Sequence, residues 1–164
     1  MPLDLIPAST QSDGRWKISY VPAGSNPLSV AILNGSSAKN VTYSFTPDGF
    51  PWETAEAMVN DPRLTLVQIL SRIGKLTESL TLKYVDSTTV GSAAVLFTDY
   101  LEGYFVLRRG VDNATTWTVG QKVYVLSFQL GVQRPDAAVE NGVDTISQNV
   151  AFTNASQRNV ALVA

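Results

Sequence analysis

The sequence predicts a mainly β fold, a β-sandwich or small barrel with one flanking α-helix. Several segments alternate apolar and polar residues with a period of two, which is the pattern of a half-buried strand. Clusters of Gly, Pro, Asn and Asp separate these segments, as turns separate strands. Residues 87–101 instead have candidate capping residues, an apolar side and a following glycine, as expected of a helix.

Strands are predicted wherever the alternation persists. The strongest is residues 122–132, in which Tyr124, Leu126 and Phe128 share one face. The other predicted strands are residues 15–21, 28–33, 40–46, 79–85, 104–109 and 145–153. Residues 159–164 form an apolar, uncharged end, which is either a last strand of the chain's own sheet or a strand donated to a neighbouring subunit.

Two segments between these strands are less regular. Residues 47–62 are predicted to form a loop, in which Phe50 and Trp52 either pin the loop to the core or pack on a neighbouring subunit. Residues 63–73 allow a helix, because Asp61 and Gly74 stand where a cap and a C-terminal glycine belong. Their apolar residues do not form one clean stripe, so a strand in a long hairpin is the alternative.

Composition removes most catalytic chemistry. The chain has no His and no Cys, which excludes Ser-His-Asp and Cys-His nucleophile systems, disulfides and thiolate metal sites. It has neither a P-loop nor a G-x-G-x-x-G motif. Only a carboxylate hydrolase or a hard-cation site is left, and no pair is marked among the candidate carboxylates Asp13, Asp48, Glu53, Glu56, Asp99 and Glu102. We therefore expect a protein that is not an enzyme and has no cofactor or metal.

Charge points to association rather than to nucleic-acid or membrane binding. Twelve basic and 14 acidic residues are scattered along the chain and give a net charge of −2, with no basic stripe. No apolar run is long enough to span a bilayer, and the N-terminus does not resemble a signal peptide, so synthesis in the cytoplasm is expected. Charged residues make up 16 % of the chain, against a usual value of about 25 %. A surface with so few charges tends to associate.

An ordered set of motifs runs from residue 61 to residue 126. Its members are Asp61-Pro62-Arg63-Leu64-Thr65, Gly74-Lys75, Ser79-Leu80-Thr81-Leu82-Lys83-Tyr84-Val85, Glu102-Gly103-Tyr104-Phe105-Val106-Leu107-Arg108-Arg109-Gly110 and Gly120-Gln121-Lys122-Val123-Tyr124-Val125-Leu126. This order is similar to that of the major tail tube protein of phages with long, non-contractile tails (siphovirus-type), especially those that infect actinobacteria. That family likewise has a glycine, a hydrophobic strand ending in Arg-Arg-Gly, a polar gap, and a strand of valines and aromatics.

The resemblance implies a fold and an assembly. The fold would be a β-sandwich or small barrel with a flanking helix, related to the tube protein of type VI secretion, and residues 63–73 would be extended. Residues 1–164 would be a single tail-tube domain that forms stacked hexameric rings, with residues 47–62 and 154–164 as inter-subunit elements. Its partners would be itself, the tape-measure protein and other tail components, and no membrane. DNA would cross the lumen without specific binding during ejection, and the protein would be made and assembled in the host cytoplasm and reside in the virion tail.

Six residues are candidate inter-subunit contacts. They are Phe50, Trp52, Arg108, Arg109, Leu162 and Val163. The two arginines either form ion pairs within or between subunits at a strand end or face DNA in the lumen. Two other functions are alternatives: a β-sandwich carbohydrate- or receptor-binding module, whose stacking platform would be built from Trp16, Trp52 and Trp117, and another ring-forming tail component such as a terminator.

Overall fold

The computed structural model describes residues 9–64 and 67–164, and within them the prediction of a mainly β protein is confirmed. The strands are β1 (Trp16–Pro22), β2 (Lys39–Asn40), β3 (Glu53–Asp61), β4 (Leu70–Val85), β5 (Glu102–Arg109), β6 (Lys122–Leu130), β7 (Arg134–Pro135), β8 (Thr145–Phe152) and β9 (Gln157–Ala161). The helical elements are α1 (Val30–Leu33), α2 (Ala93–Leu96) and a 3₁₀ turn at Thr42–Ser44. The chain divides into two compact units.

The first unit contains the described residues up to Ser44 together with Glu102–Phe128 and Asn154–Ala164. In it β1 pairs antiparallel with β2 on one side and with β5 on the other, and β9 pairs antiparallel with β6. The inward faces of these strands and of the segments between them supply the core. Its buried members are Val21, Leu33, Val106, Trp117, Val123, Val125 and Leu162.

The second unit, Phe45–Leu101 with Gln129–Thr153, is built on β4. The first part of β4 pairs antiparallel with β3, and residues from Leu80 to Val85 pair antiparallel with β8. β7 pairs with β8. An aromatic cluster fills the core beside the second half of β4, with Tyr84 and Phe97 fully buried and in edge-to-face contact.

The predicted strand at residues 28–33 is wrong, because α1 occupies its end. The Asn26 side chain accepts a hydrogen bond from the Leu28 N–H (3.0 Å), which turns the chain just before the helix. The backbone groups of Leu28 and Val30 then bond to Val163 at the other end of the chain. Local turn chemistry and one distant segment thus satisfy the backbone that the sequence pattern assigned to a strand.

The predicted strand at residues 40–46 is also shorter than expected. β2 ends at Asn40, because the side-chain oxygen Oδ1 of Asn40 accepts hydrogen bonds from the Thr42 N–H (3.1 Å) and the Thr42 hydroxyl (2.6 Å). This bonding curls the chain into the 3₁₀ turn that follows. The asparagine side chain thus bonds the backbone in place of a partner strand, and the chain turns instead of continuing as a strand.

The predicted loop at residues 47–62 is wrong over most of its length, because Glu53–Asp61 is β3. Of the two alternatives for residues 63–73, the helix is not formed in the described residues, and the extended conformation that the resemblance implies is found from Leu70, where β4 begins. Thr65 and Leu66 lie outside the described residues. Asp61 does not cap a helix, since it pairs with Leu70 in the sheet and its carboxylate binds Arg63 and Arg72.

The flanking helix predicted at residues 87–101 is reduced to the four residues of α2. The Gln133 side chain donates hydrogen bonds to the carbonyls of Ala94 (3.1 Å) and Phe97 (2.7 Å). Tyr100 has a φ of 61°, which no continuing right-handed helix allows. The carbonyls of Ala94 and Phe97 therefore accept hydrogen bonds from the Gln133 side chain instead of from a further turn of helix.

Candidate assembly surface

The most unusual feature of the second unit is a two-stranded ribbon formed by residues 53–61 and 70–79. Its register runs from Glu53 opposite Ser79 to Asp61 opposite Leu70, with a β-bulge between Glu56 and Met58. Pairing of β4 with β8 begins only at Leu80. Along the ribbon, both outer edges therefore lie outside the strand pairings of the described residues. Such edges present backbone N–H and C=O groups that recruit another strand.

Both faces of the ribbon are exposed as well. All residues from Glu53 to Asn60 and from Leu70 to Thr77 are exposed. Large apolar side chains are common among them and in the connecting segment: Met58, Val59, Leu64, Val67, Ile69, Leu70, Ile73 and Leu76. An isolated two-stranded hairpin is marginally stable in water, and contiguous exposed apolar surface of this kind marks an interaction site. The ribbon is therefore the strongest candidate for contact with another molecule.

Charge on the ribbon is divided between its two ends. Arg63 donates to the Asp61 carboxylate through Nη2 (2.8 Å), and Arg72 approaches the same carboxylate at 3.5 Å. Lys75 stands in the middle of the ribbon, next to the pair formed by Leu76 and Glu56. The opposite end, where β3 begins, carries the carboxylates of Glu53 and Glu78. The sequence pattern does not predict β3, because a strand exposed on both faces lacks the alternation by which strands are recognised.

Phe50 and Trp52 lie just before the start of β3, and both are half-buried. Phe50 packs edge-on against Phe45, with ring centroids 5.5 Å apart. Gly49 holds this turn against β4: its carbonyl accepts from the Lys83 N–H (2.9 Å), and an added Cβ would collide with the Lys83 carbonyl. Phe50 therefore packs on the core of its own chain, which is one of the two alternatives predicted for these aromatics.

Arg108, one of the candidate contacts, is buried within the single chain. Its guanidinium is fully buried and lies 4.7 Å from the centre of the Trp117 ring. It donates hydrogen bonds to the carbonyls of Asp112 (2.8 Å), Thr115 (2.9 Å) and Thr116 (3.1 Å) and to Gln121 Oε1 (3.0 Å). Burial lowers the pKa of Arg108. The side chain thus connects β5 to the polar segment before β6.

Arg109 points the other way and is exposed. Its guanidinium lies 5.5 Å from the ring centres of Trp16 and Tyr124. It borders an open cleft of about 390 Å³ with Trp16 and residues 10–12. Trp117, in contrast, is only 2 % exposed and cannot join a stacking platform. The three tryptophans that the carbohydrate-binding alternative requires are thus not all available to a ligand.

The C-terminal segment is part of the first unit. β9 pairs with β6, and Leu162, one of the candidate contacts, is buried in the core of this unit. Val163 is 47 % exposed, although its backbone bonds to Leu28 and Val30. Of the two alternatives predicted for this segment, the structure shows the last strand of the chain's own sheet. Val163 stays a candidate contact.

Titratable groups in the second unit serve packing. Tyr84 donates to Gln148 Oε1 (2.9 Å) and accepts from Gln133 Nε2 (3.2 Å). Burial raises the pKa of Tyr84 to about 12, so the phenol is neutral over the physiological range. Among the residues that the structure describes, no group of three or more Asp and Glu side chains is arranged to hold a metal ion.

Comparison with known proteins gives a family for this fold and surface. A family model described as phage tail tube protein matches residues 4–164. No curated protein matches the chain. Within residues 9–64 and 67–164, no helix has the length and apolar character needed to cross a membrane.

Proposed function

Because the chain belongs to the phage tail tube protein family and is thus a structural subunit of the tail tube, we propose that it forms hexameric rings that stack into that tube. In this proposal residues 1–164 act as one tail-tube domain and DNA crosses the lumen during ejection. The tape-measure protein occupies the lumen before ejection, and assembly takes place in the host cytoplasm. The protein resides in the virion tail.

The observation that carries the proposal is the exposed ribbon. Its apolar side chains Met58, Ile73 and Leu76 have no cover in a single copy, and its two edges offer strand pairing. Closing a ring lets each open edge be taken by the next subunit, as cyclic symmetry allows. Stacking the rings requires a second, head-to-tail interface, which has no natural end and therefore gives a tube.

Several other segments are proposed to contribute contacts. Trp52 and Phe50 stand at the base of the ribbon, where a neighbouring copy could cover their exposed portions. Arg109 and Val163 present exposed surface on the first unit. Arg108 and Leu162 act within the subunit instead.

The charge of the chain suits a lumen that does not retain DNA. Each phosphate that a Lys or Arg neutralises adds affinity, so a strongly basic lumen would slow the passage of DNA. The chain has a net charge of −2, and its buried Arg108 is used for backbone carbonyls. We therefore propose that DNA transits without specific binding.

Electron microscopy of the concentrated protein in negative stain tests the proposal. Hexameric rings and stacked tubes are expected. Rings that never stack would indicate a terminator-like component, and a protein that stays monomeric under all salt conditions and concentrations would contradict the proposal. Addition of purified tail initiator complex controls for a requirement for nucleation.

A further inference from the structure

Two asparagine–glycine pairs occur in the chain, Asn34-Gly35 and Asn141-Gly142. A glycine has no Cβ to shield its backbone nitrogen, which is therefore able to attack the side-chain carbonyl of the preceding asparagine. The attack closes a cyclic imide (succinimide) and releases ammonia, and water then opens the imide to aspartate or isoaspartate. Water is the only co-reactant, and nothing is oxidised or reduced. Each pair is therefore a chemical site for spontaneous deamidation.

The backbones of the two pairs are closely matched. The Gly35 N–H donates to the Ile32 carbonyl (3.1 Å), and the Gly142 N–H donates to the Val139 carbonyl (3.0 Å). Both asparagines and both glycines are exposed. The attacking nitrogen has to leave one hydrogen bond of similar length at either site, so this bond does not favour one site over the other.

The side-chain amide of Asn34 is held at both of its polar atoms. Nδ2 donates to the Trp117 carbonyl (2.9 Å), and Oδ1 accepts from the Trp117 N–H (3.0 Å). Trp117 belongs to the core of the first unit, so this partner is fixed in place. The Asn34 N–H also donates to the Val30 carbonyl at the end of α1 (3.0 Å). The Asn34 amide therefore has to break both bonds to Trp117 before it turns towards the Gly35 nitrogen.

The side chain of Asn141 lacks such a restraint. Residues 137–144 are all exposed, and the Asn141 amide makes no hydrogen bond within the part of the chain that the structure describes. Asn141 also has a φ of 57°, in the left-handed region. A residue with a Cβ is less stable there than in the right-handed region, so its backbone leaves this conformation at little cost. The Asn141 amide is thus able to reach the Gly142 nitrogen.

We propose that Asn141 is a site of spontaneous deamidation and that the bonds to Trp117 protect Asn34 from the same reaction. Two hydrogen bonds of ordinary net strength correspond to a factor of about 30 between the bonded and the free side chain. Asn34 should therefore react about 30-fold more slowly than Asn141 in the folded chain. The difference arises within one subunit, so it does not depend on the proposed function.

Deamidation changes both the charge and the backbone of residues 136–144. This segment already holds three carboxylates, of Asp136, Glu140 and Asp144, and no cation, and the product adds a fourth carboxylate. The isoaspartate product also inserts a methylene group into the main chain, next to the turn that Gly142 closes. Because water does not convert either product back to asparagine, the acidic fraction of the protein records the age of the subunit.

Peptide mapping by mass spectrometry tests this inference on the natural chain. Dilute folded protein is incubated at mildly alkaline pH for increasing times, because the attacking nitrogen must lose its proton. Asn141 should convert to aspartate and isoaspartate first, with Asn34 about 30-fold slower. The control is the same incubation in guanidinium chloride. Unfolding removes the bonds to Trp117, so the two pairs should then react at similar rates.

Two variants at position 141 extend the test. Asn141→Asp supplies the standard for the acidic form in ion-exchange chromatography. Asn141→Gln has a longer side chain that disfavours closure of the imide ring, so its folded chain should not form the early acidic species. Equal rates at Asn34 and Asn141 in the folded natural chain would overturn the inference. So would an Asn141 that reacts only when the chain is unfolded, or an early acidic species that persists in Asn141→Gln.

Discussion

Replacing Ile73 on the ribbon should weaken assembly without weakening the subunit. Ile73 is 64 % exposed in the single chain, so a neighbouring copy can bury about two-thirds of its side chain. Ile73→Val removes one methylene, worth about 0.8 kcal/mol when fully buried, and therefore costs about 0.5 kcal/mol here. Ile73→Thr has the shape of valine but buries a hydroxyl, which adds about 1 kcal/mol at the low end of the mutational range.

These costs convert directly into critical concentration for polymerisation. Since 1.4 kcal/mol is a factor of ten, we expect the critical concentration to rise about 2-fold for Ile73→Val and at least about 10-fold for Ile73→Thr. Sedimentation of tubes from a concentration series measures it. The free energy of unfolding of the unassembled subunit, from urea titration, should change by less than about 0.5 kcal/mol, as for other exposed positions.

The comparison of the two variants is the decisive control, because valine and threonine are matched in shape. Equal critical concentrations for Ile73→Val and Ile73→Thr would show that Ile73 is not buried on assembly. A large loss of subunit stability in Ile73→Thr would show instead that the ribbon belongs to the core of the folded subunit. Either result would refute the assignment of the ribbon as an assembly surface.

Three further predictions concern the fold of the subunit. Gly49→Ala should destabilise it by about 2–4 kcal/mol in urea titration, because the new methyl meets the Lys83 backbone, whereas Gly131→Ala, with only ordinary contacts, should be nearly neutral. Arg108→Lys should cost about 2–4 kcal/mol, since an ammonium cannot bond the four acceptors of the guanidinium; an unchanged urea midpoint would contradict this. The pKa of Tyr84 is raised from 10.0 to about 12, so its contribution to the free energy of unfolding should be fully present below pH 10 and should be lost as the pH rises towards 12. Tyr84→Phe should remove that fall.

Strands that bury side chains within the subunit could be predicted from the sequence, and a strand that buries none could not. In β8 and the second half of β4 the buried positions alternate with others, whereas β1, β5 and β6 also bury consecutive residues; the apolar–polar alternation of the sequence located all five. β3 has no buried face in the single chain, so its residues read as a loop. The information that makes it a strand lies in its pairing with β4.

The candidate contacts show the same division. Arg108 and Arg109 are adjacent in sequence, but successive residues of a strand point to opposite faces, and only the structure reveals which face leads to Trp117. Val106 on the face of Arg108 is fully buried, but so are Phe105 and Leu107 on the face of Arg109, so the apolar residues before the two arginines do not distinguish them. Phe50 and Trp52 are predicted to lie in a loop, and in the structure they directly precede β3.

β4 joins folding and assembly in a single strand, and its two halves divide the two tasks. From Leu80 to Tyr84 every second side chain is buried within the subunit, whereas from Leu70 to Thr77 every side chain is exposed. The second half can therefore fold with β8 before any neighbour arrives, while the ribbon gains its burial only from another copy. Because a two-stranded ribbon alone is marginally stable, its ordering is coupled to docking. We therefore expect the subunit to fold independently of concentration and to polymerise through the ribbon.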